Sequence, residues 1–250
     1  MKIISLGWGV QSWTMAAMVA ERELPWVDYV VNADTRHEAS WTYQFAKRNK
    51  QWLADRGLNV VTVFPSEKKI EAFDKYGGIF IPAFTKNTKG FGQLRRQCTG
   101  DWKIAPMRRY FQTIRKGEQI ELMIGISMDE IQRMRKSDVK YITNIYPLID
   151  LRMSRQDCIG WLKDHGLEIP KRSACYFCPY HSEKEWFEIM RSEDKDKAIK
   201  YDEIIRNKRP PFDLFIHPSR KPIAQVDFRT PQEKGQLNLW DDECSGICGI

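Results

Sequence analysis

Long hydrophobic runs are missing from this 250-residue chain, and no stretch approaches the roughly 20 apolar residues that a membrane-spanning helix requires. The start, MKIISLGWG, reaches glycine too soon to hold the apolar region of a secretory signal, so a cytoplasmic protein with no membrane partner is expected. Internal repeats and low-complexity tracts are absent, and so is a long basic tail. Both common phosphate-loop fingerprints are missing too. Gly7, Gly9 and Ser12 fit neither G-x-G-x-x-G nor a Walker A loop, and no lysine precedes Ser12. Histidine is scarce, with four residues, and His37 and His217 are isolated from other histidines and read as surface residues. The six cysteines are poor disulfide candidates in a reducing compartment, so their clustering points to metal or redox chemistry.

With 42% hydrophobic and 29% charged residues, the chain is globular, and its size allows one large domain or one domain with an appendage. The net charge of +7 is spread along the sequence, with small clusters at Arg95-Arg96, Arg108-Arg109 and Lys208-Arg209. That balance suits anionic partners such as nucleotides or nucleic acid, and equally a mildly basic enzyme.

Apolar runs at 2–6, 27–33 and 59–64 alternate with helical spacing at 12–22 and 39–56, which predicts right-handed βαβ units and a parallel sheet. From about 65 to 100 the pattern breaks into what reads as a long irregular excursion. A helix near 101–115, a strand at 120–126, a short helix at 128–136 and an extended piece at 141–146 follow. Further helices are predicted over 154–165, 182–191 and 194–207, with a cysteine-bearing loop at 173–181 and a Pro-punctuated end. The expected fold is α/β: a nucleotide-binding parallel-sheet domain over 1–150, and a mostly helical cysteine-bearing region over 151–250.

The loop from Ser5 to Ser12 joins the first strand to the first helix. Such a loop aims backbone N–H groups and the positive helix end at one point, which suits a phosphate. Ser12 is expected to cap the helix and to donate to a phosphate oxygen, although an ordinary strand–helix turn would use the same residues. The loop resembles the PP-loop of ATP pyrophosphatases, S-G-G-x-[DK]-S, through Gly9 and Ser12. Gly7, Trp8 and Gln11 depart from it, and Gln11 lacks the charge to hold Mg²⁺. It is more similar to the S-F-G-G-G-V-Q-S loop of proteins related to phosphoadenylyl-sulfate (PAPS) reductases.

The resemblance continues in order along the chain. The segment from Ala33 through Asp34, Thr35, Arg36 and His37 to Glu38 is similar to A-D-T-G-x-E, and would face the crevice at a strand's carboxyl end. Arg95-Arg96-Gln97-Cys98 with Lys103 and Pro106 is similar to R-C-C-x-x-x-K-x-x-P, with Gln97 at the first cysteine. Gly125, Asp129 and Arg133 match G-x-R-x-[DE]-x-x-x-R, with Ser127 at the first arginine. Pro147-Leu148 and the stretch from Ser173 to Tyr180 (SACYFCPY) complete it. The chain thus resembles PAPS-reductase-like proteins of the PP-loop, adenine-nucleotide α-hydrolase superfamily, with phage and mobile-element members the most similar.

That resemblance implies a Rossmann-like sheet with helices on both faces, and an adenine nucleotide, either ATP or an adenylyl sulfate. The nucleotide would meet Ser5, Gly7, Gly9, Gln11, Ser12, Asp34, Thr35, Arg96, Gly125, Asp129 and Arg133. Cys98, Cys175 and Cys178 would bind a [4Fe-4S] cluster or zinc, with Cys248 as fourth ligand, and Cys158, Cys244 or His181 as alternatives. The tail, with Cys244 and Cys248, resembles an E-C-G-x-H ending whose cysteine attacks sulfur. Asp34, Lys103, Cys244 and Cys248 are therefore the candidates for catalysis. Trp8 and Trp102 are candidates for stacking on a base. Three activities remain open: thiolation of a nucleic acid or small acceptor through an adenylated intermediate, sulfonucleotide reduction, and nucleotide sensing or nucleic-acid adaptation without catalysis. Expected partners are a nucleic acid acceptor, a thioredoxin-like reductant or sulfur donor, and a second copy of the chain.

Overall fold

The computed structural model describes residues 1–76, 81–229 and 233. Five strands, β1 (Lys2–Ser5), β2 (Tyr29–Ala33), β3 (Val60–Val63), β6 (Ile120–Ile124) and β7 (Ile142–Ile145), form one sheet in the order β3-β2-β1-β6-β7. Every pairing in it is parallel. The chain runs outward from β1 to β3, then returns to the other side of β1. The carboxyl ends of β1 and β6 therefore flank the point where strand order reverses, the usual crevice for a ligand.

Helices cover both faces because adjacent strand residues point to opposite sides. Ile4 packs with α1 (Val10–Ala20), α2 (Ser40–Asp55) and α6 (Arg155–Asp164), whereas Ile3 packs with Met107 and Phe111 of α4 (Ala105–Ile114). Helix α1 is buried nearly all round. Thr14 Oγ1 donates to the Val10 carbonyl at 2.9 Å and reaches the Cys158 carbonyl of α6 at 3.4 Å. Cys158 is a core residue of that contact, and burial pushes its thiol up to about 11.

The excursion over 65–100 is more regular than its composition predicts. It contains α3 (Glu67–Tyr76), β4 (Phe84–Asn87) and β5 (Gly90–Gln93), and β4 pairs antiparallel with both β5 and β8 (Asp213–Phe215). A second hydrophobic core joins Ile70, Phe73, Ile81 and Trp102 to Phe177, Trp186, Tyr201, Leu214 and Ile223. Trp186 lies on α7 (Glu183–Ile189) and Tyr201 on α8 (Lys195–Ile205). Asp202 of α8, buried, accepts from the Ile216 and Ile223 amides at 3.1 and 3.0 Å and ties the Pro-rich stretch to the helix.

His37 and His217 are buried, contrary to the surface position expected of isolated histidines. His37 packs against Phe73, the rings tilted by 35° with centroids 4.1 Å apart, and Trp186 and Phe228 enclose His217. Among the described residues no helix is long and apolar enough to cross a membrane.

Candidate functional site

The loop after β1 turns sharply. Trp8 occupies the left-handed region at φ 57°, which favours glycine, and its ring is buried beside Trp13 and Phe45. Packing of the indole offsets the conformational cost. Trp102 is buried likewise, against Phe73 and His37. Both tryptophans are thus core residues first, which explains their presence without a stacked base. Gly9, not Ser12, occupies the cap position of α1. Ser12 instead sits inside the first turn, its Oγ accepting from the Gly7 amide at 3.1 Å and donating to the Gly9 carbonyl at 3.2 Å. The hydroxyl braces the loop instead of capping the helix.

This loop forms one wall of a cleft of about 940 Å³ at the carboxyl end of the sheet. Ser5, Gly7, Gly9, Gln11 and Ser12 line it, and so do Gly125, Asp129 and Arg133 from the adjoining segment after β6. Arg96 and Lys103 reach it from the approach to α4. Ten of the residues expected at a nucleotide or in catalysis therefore share one concavity. The nearest neighbour of Gly125 is protein: a Cβ there would stand 2.7 Å from Ser12 N and Cα.

The cleft wall carries a braced polar network. Gln11 Nε2 donates to Ser127 Oγ and to Glu130 Oε2, both at 3.3 Å, while its Oε1 accepts from Arg155 at 3.3 Å. Arg133 pairs with Glu130, and Asp129 accepts from the Arg155 amide. Two arginines and two carboxylates thus surround Gln11 on this wall.

Asp34 lines a smaller adjoining cavity of about 200 Å³, which shares Ser5, Gly7 and Lys103 with the cleft. Its carboxylate accepts from the Arg36 amide at 2.7 Å and from Tyr43 Oη at 2.8 Å. Burial, reinforced by Asp34, pushes the Tyr43 phenol well above its ordinary range, so Tyr43 keeps its proton and donates.

Thr35 turns the other way. Its Oγ1 lies 3.4 Å from Cys175 Sγ, in a third cavity of about 120 Å³ lined by Cys98, Cys175 and Cys178. The Cys178 amide donates to the Cys175 carbonyl at 2.9 Å, which closes the Cys-x-x-Cys turn. His181 Nε2 donates to that same carbonyl at 2.8 Å, so His181 supports the turn instead of facing the thiols. Burial, with the Glu38 charge nearby, pushes the Cys175 thiol far up, and burial pushes Cys178 up. Without a metal both thiols stay protonated at neutral pH. Cys244 and Cys248 lie outside the described residues.

Lys103 and Ser173 line all three cavities. Both bind buried Glu38: Lys103 Nζ donates to Oε1 at 2.8 Å and Ser173 Oγ to Oε2 at 3.1 Å. Burial opposes the charge on Lys103, but the Glu38 carboxylate outweighs it and holds the ammonium above its ordinary range. Sequence reasoning had not singled out Glu38, Ser173 or Tyr43 for the site. Glu38 and Ser173 lay within motifs already quoted; nothing in the sequence pointed to Tyr43 or Arg155.

Burial lowers the proton affinity of His181 and His217. The unfolded chain, with histidines near 6.5, then binds more protons than the folded one below that pH. Their contribution to stability is present above about pH 6.5 and is lost as pH falls below it. Melting temperature is expected to drop between pH 7 and 5.5, and His217→Gln should flatten that drop; an unchanged slope would remove His217 as its source.

No protein-family model matches the sequence, and no curated protein matches it. Among solved structures, phosphoadenylyl-sulfate (PAPS) reductase from Candida auris, in a phosphate complex, superposes with a TM-score of 0.50 at 14% identity, over 72% of this chain and 82% of that one. The U34-tRNA thiolase NcsA from Methanococcus maripaludis, with its [4Fe-4S] cluster, gives a TM-score of 0.40 at 13% identity, over 84% of this chain and 66% of that one. The first likeness shows the fold. It is a Rossmann-like α/β sheet flanked by helices, the fold shared with that reductase.

Proposed function

We propose that the chain is an enzyme of sulfur chemistry that holds an adenine nucleotide in the cleft and acts on sulfur beside the thiol cavity. One observation carries this reading: Arg96, Thr99, Lys103, Arg172 and Ser173 belong to the walls of both spaces. An anion bound by the cleft would lie next to three cysteines. The amides opening α1 would hold a phosphate, and Arg96, Lys103 and Arg155 would neutralise its charge. Asp34 and Tyr43 offer an acceptor and a protonated phenol to the nucleoside end.

The donor set of the third cavity is soft, three thiols without a carboxylate among its lining residues, which suits iron–sulfur or zinc and not a hard cation. Among the described residues no group of three or more His, Cys, Asp or Glu is drawn together tightly enough to hold an ion. Cys98, Cys175 and Cys178, which line one cavity, would have to draw closer to ligate it, with Cys248 as the proposed fourth. A bound metal or cluster would supply thiolate ligation and, for iron–sulfur, electron or sulfur chemistry.

Two reactions fit the shared wall. In one, a tail cysteine thiolate attacks the sulfur of an adenylyl sulfate, the S–O bond breaks, and the adenylate phosphate leaves. A second thiol then releases sulfite as a disulfide forms. In the other, an acceptor oxygen attacks the α-phosphorus of ATP, pyrophosphate leaves, and sulfur displaces AMP. Anaerobically purified protein should bind iron or zinc and turn over one nucleotide. Thiol-dependent sulfite from adenylyl sulfate assigns the first reaction, and pyrophosphate from ATP the second. Binding without turnover would defeat the enzyme reading. Cys175→Ala should lose most of the metal; full metal content in that variant would defeat the ligand set.

A further inference from the structure

The small antiparallel sheet presents an outer face that the cleft does not use. Register places Lys86 opposite Phe91 and Phe84 opposite Gln93, while Thr85, pointing the other way, is buried against Gly92. Phe91 is 71% exposed, unusual for a phenylalanine on a strand. The Arg220 guanidinium lies over both rings, 5.0 Å from the Phe91 centroid and 5.4 Å from that of Phe84. It is fixed there by bonds from Nε to the Thr85 carbonyl at 3.3 Å and from Nη1 to the Pro218 carbonyl at 3.0 Å. The result is one exposed ring with a fixed cationic group beside it.

Charge runs the same way. Residues 84–96 contain four basic side chains, Lys86, Lys89, Arg95 and Arg96, and no acidic one. All four are exposed. On the paired strand, Asp213 stands opposite Lys86 and is the acidic residue of the three strands. From Phe91 the chain leads directly to Arg96, on the wall of the thiol cavity. At about 3.3 Å per extended residue, that is at most about 17 Å.

We propose that this face binds single-stranded nucleic acid, with Phe91 and Arg220 stacking on unpaired bases and Lys86, Lys89 and Arg95 contacting phosphates. An exposed ring can stack only on a base freed from its pair, which favours a single strand over a duplex. Polyanionic backbone complements the acid-free basic run better than a protein surface does. The face delivers a strand to Arg96 and the cysteines, so it names the acceptor class of the proposed enzyme. It rests on that reading for what is done to the strand, but not for the binding.

The test is fluorescence anisotropy with labelled single-stranded RNA, single-stranded DNA and matching duplex of about 12 nucleotides, within the usual site size. Single strands should bind more tightly than duplex, and more weakly as salt rises; preference between the two single strands identifies the sugar. Phe91→Ala should weaken binding about tenfold and Phe91→Trp should restore it, while Lys86→Glu with Lys89→Glu should weaken binding and flatten the salt dependence. ATP or adenylyl sulfate binding should be unchanged in every variant, which also reports folding. Equal affinity for duplex, or Phe91→Ala binding as tightly as the parent, overturns the proposal, as does a face that retains an acidic protein and no oligonucleotide. Loss of nucleotide binding with oligonucleotide binding intact would instead sink the proposed enzyme and leave this surface standing.

Discussion

Lys103→Met should abolish turnover, with kcat/KM on whichever nucleotide is processed falling by about a hundredfold or more, the usual cost of removing a fixed charge from developing anionic oxygen. The expectation follows from position. Lys103 Nζ stands where the cleft, the smaller Asp34 cavity and the thiol cavity meet, held by Glu38 at 2.8 Å. Deleting the ammonium also strands the Glu38 carboxylate, 7% exposed, with Ser173 Oγ as its remaining side-chain donor. A lost charged hydrogen bond of that kind costs ~1.5–3 kcal/mol, toward the lower end here because Lys103 itself is 37% exposed. Adding Glu38→Gln removes the stranded charge, so the double variant should recover melting temperature and stay inactive. Thermal melts beside steady-state rates separate the two effects. A Lys103→Met protein with parental kcat/KM would remove Lys103 from the chemistry.

Gly125→Ala should cost the protein its nucleotide before it costs the fold. The added Cβ would fall 2.7 Å from Ser12 N and Cα and 3.0 Å from the Gln11 carbonyl carbon. These are backbone atoms, so relief requires moving the loop whose amides face the cleft. Overpacking of this kind destabilises by ~1–3 kcal/mol, and a loop displaced by a few tenths of an ångström no longer converges its donors. Nucleotide affinity is expected to fall tenfold or more by calorimetry. Gly9→Ala is the matched control: its φ is −91° and a Cβ there meets nothing within 4 Å. It should melt like the parent, and it loses affinity only if the ligand itself comes close. A Gly125→Ala protein that binds nucleotide normally would contradict the role of the loop.

Much of this architecture could be read from the sequence because parallel strands are buried on both faces and appear as short apolar runs. The runs at 2–6, 27–33, 59–64 and 120–126 became β1, β2, β3 and β6 within a few residues. The small sheet left no such trace. FTKN and GFGQ carry lysine, asparagine and glycine, and β4 gains its second partner only from β8, far along the chain. Helix α3 presents Ile70 and Phe73 on a mostly polar background, too few apolar positions to set a period. Ser12 misled because a serine before an apolar helix suggests a cap, whereas the turn had already begun at Gly9. Glu38 was hidden for a different reason. A buried carboxylate looks like a surface one until Lys103 and Ser173, remote in sequence, are seen to meet it.

The second core has a consequence for how the protein is made. Phe73 and Trp102 leave the ribosome long before Trp186, Leu214 and Ile223, the side chains that will cover them. Central strand β1 likewise waits for β6 on one side. A nascent chain stalled after residue 150 would therefore hold a nearly complete parallel sheet beside an uncovered aromatic surface. Such a species is aggregation-prone and suited to chaperone capture, so synthesis of the segment from Trp186 to Ile223, more than any local helix or turn, sets when the thiol-bearing half becomes native.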